Sequence, residues 1–408
     1  MSKNIWYVSK YANILKYGAN TRQAYFCKYI SRNNYNVRLV LSNSSHLFND
    51  LPKFNGRYKD MVNDGYQVTW VNSKIRGTSS SIKRVISWLS FELGVVGMAW
   101  RSRYEKPDVV IASSLSILSV LSGAFYKKFF GTQFLFEVRD IWPKSIVDIK
   151  GASSKNIFIV VLRWIEHLGY RYSDTIIGTM PGLSKHVQSE VGLGSKVITI
   201  PQGFDLDFYN DKQEKLPDTY ISNYLPKDKF IVTYAGTIGE ANGLEYIVEA
   251  ARHISEMGDS FIHFLFVGDG YLKGALKEQA KDLKNVSFAP SVKRTQVNHV
   301  LTESDLLVAS VLNKPIYEYG ISLNKFNDYM YAKKPIVCMY SGYHSIINEA
   351  NCGEFTPSED PASFADAIKK YSQMPQAMRE TLGMNGYNHL VNNLSYDILV
   401  NKYIKIFR

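Results

Sequence analysis

Four short stretches of this 408-residue chain gather the residue types that handle phosphate, sugar hydroxyls and protons. The first runs from Tyr319 to Val337. It reads as a turn carrying Asn324 and Lys325, a short helix with Asp328 on its first turn, and a Lys-Pro break entering a β-branched strand. A helix N-terminus offers unpaired N–H groups and the positive end of the macrodipole, which suits a phosphate, and the Asp328 carboxylate can accept two hydrogen bonds from a ribose diol. Together they outline a nucleotide-diphosphate site. The plainer alternative is a capped surface helix whose Asp328 only compensates the dipole.

The second stretch is Tyr17–Arg22, where Gly18 lets the backbone approach a ligand and Arg22 can meet a phosphate, unless it is an ordinary loop with a capping Asn or Thr. The third, Phe136–Pro143, sets Glu137, Arg139 and Asp140 beside a β-run. Buried charge is costly without a partner, so the choice there is between a site and a salt-bridged strand end. The fourth, Tyr234–Glu245, is a strand followed by glycines and a helix, with Gly236 and Thr237 at the turn. It matches neither the dinucleotide GxGxxG fingerprint nor a P-loop. A Gly268-Asp269-Gly270 turn reads as structural on turn chemistry.

These stretches need elements to position them. Short apolar runs at 5–8, 37–41, 109–112, 134–138, 174–179 and 197–200 alternate with helical stretches, and a second series follows at 230–236, 262–267, 286–289, 306–309 and 335–339. Strands alternating with helices predict parallel sheets in doubly wound α/β domains, and the length exceeds what one core supports. The expected division is 1–205, a polar linker at 206–228, 229–384, and a terminal helix at 385–408. In open α/β sheets ligands bind beyond the carboxyl ends of the strands, where the four stretches fall.

Composition narrows the classes. Forty-five per cent hydrophobic and 21% charged residues describe a folded globular protein. Three scattered cysteines give neither a disulfide framework nor a zinc spacing, and no run of 18 apolar residues is present, which predicts a cytosolic or peripheral protein. The net charge of +11 is lopsided: residues 1–200 hold 27 Lys and Arg against 12 Asp and Glu, residues 201–408 hold 21 against 25. A basic half implies an anionic partner, and with no nucleic-acid module in view an anionic membrane surface is expected rather than nucleic acid. The segment 82–100, apolar over much of its circumference and flanked by Lys74, Arg76, Arg101, Arg103 and Lys106, is a candidate interfacial helix. A buried domain helix with solvated ends is the alternative.

The order of residues in Gly320–Val337, with its NKFNDYM core, resembles the nucleotide-sugar signature of retaining GT-B glycosyltransferases of family 4, and is most similar to bacterial members that build O-antigen, capsule and related surface polysaccharides, aminosugar transferases among them. The resemblance covers most of the chain. It implies an α/β fold of GT-B type, two doubly wound Rossmann-like domains facing a central cleft, with the last helix returning to the first domain. It further implies a UDP-sugar donor, a lipid-linked saccharide acceptor, and peripheral attachment to the inner face of the plasma membrane.

Residue by residue, the resemblance sets Asn324, Lys325 and Gly236 with Thr237 at the diphosphate and Asp328 at the ribose. It brings Gly18 and Arg22 to the donor from the acceptor domain, and backbone groups around Ser291 and Val292 to the base. Arg139-Asp140 looks like the Arg-Asp form of a His-Asp pair, with Asp140 orienting or deprotonating the acceptor hydroxyl, Arg139 near sugar or phosphate, and Glu137 beside them. An Arg common after the glycine turn is missing, so Lys293, Arg294 or Lys325 must supply that charge. Gly320 stands eight residues before Asp328, with Glu318 two places earlier, where relatives carry a second carboxylate toward the donor sugar. None of the eight histidines forms an i,i+4 metal pair and Asp205-Leu206-Asp207 falls in the linker; because helix dipoles and cations can neutralise the leaving diphosphate, no metal or other cofactor is expected. A nucleotide-sugar 2-epimerase of the same architecture and a catalytically degenerate scaffold are the competing readings.

Overall fold

The computed structural model describes residues 2–45, 47, 48, 50–73, 81–343 and 345–408; Lys74 and Arg76 lie outside them. The chain forms two compact units, residues 1–203 with 396–408, and residues 204–395.

The first unit holds β1 (Asn4–Val8), β2 (Asn36–Ser42), β3 (Tyr58–Asn63), β4 (Tyr66–Val71), β5 (Val109–Ser113), β6 (Gln133–Val138), β7 (Thr175–Gly178) and β8 (Val197–Thr199). They form one sheet in the order β3-β4-β2-β1-β5-β6-β7-β8, parallel throughout except for the β3–β4 pair. β5 is buried along its whole length and β1 after its first residue, as expected where helices cover both faces of a parallel sheet. Ile5 and Tyr7 face a core shared with the Arg22–Ser31 and Tyr396–Ile404 helices, while Trp6 and Val8 face one shared with the Ser81–Gly97 and Ser119–Phe130 helices. The β3–β4 hairpin was not expected. Its signal was Asp64-Gly65, both at positive φ (44° and 83°), the pairing a two-residue hairpin turn demands.

One buried ion pair organises this unit. Glu137, on β6, is fully buried and accepts hydrogen bonds from Arg22 Nε (2.9 Å), Ser113 Oγ (2.6 Å) and Tyr403 OH (2.6 Å). Arg22 also donates to the carbonyls of Ile200 (2.8 Å) and Pro201. Arg22 was expected at the donor and Glu137 among the catalytic residues; in the structure the pair joins the first helix, two strands, the segment after β8 and the C-terminal helix. Burial opposes ionisation of Glu137, but Arg22 and the hydrogen bonds outweigh it and hold the carboxyl below its usual value.

The second unit contains β9 (Phe230–Ala235), β10 (Ile262–Val267), β11 (Val286–Ala289), β12 (Leu306–Ser310), β13 (Ile336–Met339) and β14 (Gly353–Thr356), all parallel, in the order β11-β10-β9-β12-β13-β14. The segment expected as a linker belongs to this unit. It folds into helices at Leu206–Asp211 and Asp218–Tyr224, and Phe204, Tyr209, Leu216 and Leu225 enter the core, because these apolar residues recur through an otherwise polar stretch. Likewise Gln376–His389 and Leu390–Leu394 stay with the second unit, and only Tyr396–Arg408 joins the first.

Removing one partner of a buried pair strands the other charge, so Arg22→Ala should lower unfolding stability by about 3–5 kcal/mol, read by denaturant titration. The folded pKa of Glu137 lies below its unfolded reference of 4.5. Its contribution is therefore complete above that pH and lost as pH falls through the folded value, a loss that Glu137→Gln should abolish.

Candidate functional site

At the carboxyl ends of β9 and β10, the second unit opens a cavity of about 530 Å³. Its lining includes Gly236, Thr237, Asn324, Lys325 and Asp328 of the expected donor residues, with Ser291 and Val292. The wall is made by two loops in near contact. Gly268 has φ 148°, and a Cβ there would lie 1.9 Å from the Gly236 carbonyl oxygen, so the Gly-Asp-Gly turn is structural: glycine alone permits that approach. Gly236, at φ 154°, leaves room beside Tyr234 OH and the Lys325 side chain.

The Asn324–Tyr331 helix points its start into this cavity. Leu323 is its N-cap and, among the described residues, no side chain caps it; Phe326 N turns back to Leu323 O (3.1 Å), and the N–H groups before it are open to an anion. Tyr329 anchors it: its hydroxyl accepts from Ala235 N (3.0 Å) and donates to Val308 O (3.1 Å). Lys325 Nζ donates to Tyr234 OH and Asn242 Oδ1, both at 3.0 Å, and lies 4.3 Å from the Tyr234 ring centroid. Desolvation lowers its pKa to about 8. Tyr234 OH and Asn242 Nδ2 donate in turn to Thr237 O, at 2.7 and 3.0 Å. The ammonium is thus fixed by neutral groups beside an uncapped helix start, an arrangement suited to a diphosphate.

Asp328 stands on the second turn of the helix, not the first, and its role is not dipole compensation. Arg294 clamps it bidentately (2.7 and 2.8 Å), and Tyr209 OH also donates to it. An ionised carboxylate has about four acceptor directions and three are taken, so one is left for a ribose hydroxyl. Arg294, rather than Lys293, is the cavity's second cation. Lys293, with its side chain 72% exposed, pairs with Glu214 at 3.2 Å and does not line the cavity. Tyr209 lies outside the four stretches, and Tyr234 and Asn242, though within the fourth, are distant in sequence from the Lys325 they orient; only the fold brings them to it. Neither Gly320, at φ 101°, nor Glu318 lines the cavity.

Of the expected residues in the first unit, Gly18 is exposed, ending a short 3-10 turn at φ 118°, and Arg22 is consumed by Glu137. Arg139 and Asp140 leave the carboxyl end of β6. Arg139 N donates to Ser114 Oγ (2.9 Å), and its Nε is buried with no hydrogen-bond partner among the described residues. The Asp140 side chain is reached by solvent, yet surrounding protein withdraws enough water to raise its pKa, which Arg139 partly offsets. Away from these residues, Glu166, His167 and Glu190 bring potential metal-ligand atoms within 4.8 Å of one another, although Arg163 and His167 already bond Glu190. Residues from two helices make that group, so no local spacing announced it.

Residues 229–373, which build this cavity, match the family model described as glycosyl transferases group 1. A curated relative, the putative colanic acid biosynthesis glycosyl transferase WcaI of Escherichia coli (strain K12), is 24% identical over 219 residues, 52% of each chain. The match thus spans about half the length of that relative. Among solved structures, sucrose-phosphate synthase from Thermosynechococcus elongatus superposes with TM-score 0.73 at 14% identity, covering 100% of this chain and 98% of that one. A trehalose-6-phosphate protein of E. coli bound with UDP-2-fluoro glucose gives 0.74 at 9% identity, covering 99% and 98%. Anabaena HepE in complex with UDP-glucose gives 0.65 at 13%, covering 99% and 98%. At such identities the likeness establishes the fold.

Protonated Lys325 favours a diphosphate and the neutral amine does not, so affinity for UDP should fall as pH rises through about 8, with proton uptake on binding above that pH. Lys325→Met should weaken UDP binding roughly ten- to hundredfold at neutral pH and erase this dependence, as calorimetry would show. The chain has the GT-B fold, two Rossmann-like α/β units with parallel sheets, and its second unit matches the group 1 glycosyl transferases over residues 229–373.

Proposed function

We propose that this protein is a retaining glycosyltransferase that moves a sugar, an N-acetylhexosamine or deoxy-aminosugar, from a UDP-linked donor to a hydroxyl of an undecaprenyl-pyrophosphate-linked saccharide in the assembly of a bacterial surface polysaccharide. The observation that carries this reading is the second-unit cavity, where an uncapped helix start, Lys325 and the Arg294-clamped Asp328 converge. The group 1 family match over those residues, and solved structures of the same fold holding UDP-glucose or its fluoro analogue, support the donor class. The relative whose printed name refers to colanic acid biosynthesis supports a polysaccharide setting.

In this reading the diphosphate lies on the helix start and Lys325, and Asp328 holds a ribose hydroxyl. As the bond between the anomeric carbon and the phosphate oxygen breaks, charge grows on the leaving diphosphate, where fixed N–H dipoles and the ammonium already point. The acceptor hydroxyl forms the new bond and yields its proton to Asp140, with Arg139 beside it. These cationic groups stand in for a metal. The basic first half holds the protein at the anionic cytoplasmic membrane face, next to its acceptor.

Incubating the protein with a panel of UDP-sugars and short undecaprenyl-pyrophosphate saccharides in EDTA should give acceptor-dependent UDP release, reduced at least about a hundredfold in Asp140→Ala. The product should keep the donor's anomeric configuration by NMR. UDP binding without turnover across the panel would favour a nucleotide-binding scaffold instead, and release of an epimerised sugar without acceptor would favour the epimerase.

A further inference from the structure

The Ile157–Tyr172 helix buries Ile159, Leu162, Ile165, Gly169 and Tyr170 against its own unit. The opposite side of such a helix is ordinarily polar. Here Ile157 is 81% exposed, Val160 52%, Val161 49% and Trp164 64%, at spacings i, i+3, i+4 and i+7 that align them on one stripe. The Ser81–Gly97 helix repeats the pattern, with Ile86, Leu89 and Leu93 exposed. Between the two packs the Ser119–Phe130 helix. It exposes Phe129, which connects through Phe125 to exposed Trp100 at ring separations of 4.9 and 5.6 Å. Three adjacent helices of the first unit therefore leave an apolar face uncovered.

Charge identifies the occupant. From Ile149 to Ile165 the sequence has no Asp or Glu, and Lys150, Lys155 and Arg163 are its charged residues. Arg163 is engaged by Glu190 (3.0 and 2.8 Å), while Lys150 and Lys155 are exposed. A second copy of the chain would set cations against cations, whereas an anionic surface complements them. The helix, 16 residues and about 24 Å long, is too short to cross about 30 Å of hydrocarbon, and among the described residues no helix is long and apolar enough to span a membrane.

We propose that this face seats the protein on an anionic lipid bilayer, with Ile157, Val160, Val161 and Trp164 sunk at the headgroup boundary and Lys150 and Lys155 at lipid phosphates. The inference rests on the lipid-linked acceptor reading for its purpose, and names the surface that reading requires.

Vesicle flotation tests it, using phosphatidylcholine alone and phosphatidylcholine mixed with phosphatidylglycerol. The wild-type protein should float with the mixed vesicles, less so as salt is raised, and Val161→Glu/Trp164→Glu should cut the bound fraction at least about tenfold with UDP binding intact. Lys150→Ser/Lys155→Ser should lose the preference for phosphatidylglycerol. Unchanged flotation of the Val161/Trp164 variant would overturn the proposal. So would failure of the wild type to float, or a dimer in sedimentation that this variant dissolves without any vesicle binding. Failure of UDP release with every acceptor would count against the transferase reading and leave the flotation result standing, so the two are separable.

Discussion

The Arg22–Glu137 pair sets the terms for the first unit. A fully buried carboxylate survives only if its charge and lone pairs are answered, and here the answers come from three separated parts of the chain, the first helix, β5 and the C-terminal helix, while the segment after β8 engages Arg22 in turn. Tyr403 makes the last residues of the chain part of the first sheet's support, and Tyr7 OH contacts it at 3.2 Å. Glu137 is tied inward, whereas Arg139 and Asp140, just beyond it at the same strand end, are progressively more exposed.

The second unit applies the same physics to a different end. Its two cavity cations are fixed in different ways, Lys325 by neutral groups and Arg294 by a carboxylate. Lys325 rests on two neutral oxygens and an aromatic face, and Arg294 is aligned by a carboxylate and lies 5.2 Å over the Tyr209 ring. A site prepared in this way needs little reorganisation when a diphosphate arrives, because the helix start, the ammonium and the guanidinium already converge on one cavity. The glycines at 236 and 268 permit the loop approach that shapes its wall.

The chain's charge asymmetry is consistent with this division. The half that carries the excess of Lys and Arg also carries the uncovered apolar face, whereas the cavity lies in the half with slightly more acids than bases. A basic, apolar surface and a concave pocket place different demands on sequence, and separate units meet them.

The sequence by itself determined the alternation of strands and helices, because buried parallel strands are mostly apolar, and it located the 319–337 motif, because a turn, a helix start and a Lys-Pro break leave a local signature. It also held the Asp64-Gly65 hairpin signal and the carboxylate-free run at 149–165, each legible from neighbouring residues. Tertiary structure alone decided which charges are free. Nothing near Arg22 announces Glu137, 115 positions away, nor does anything near Asp328 announce Arg294 or Tyr209, 34 and 119 positions away. Lys293 and Arg294 are adjacent in sequence, yet one meets an exposed acid and the other enters the cavity. Local pattern follows from backbone periodicity and the side chain's own chemistry, whereas the role of an ionised group depends on its distance to other charges and to water, which only the folded chain fixes.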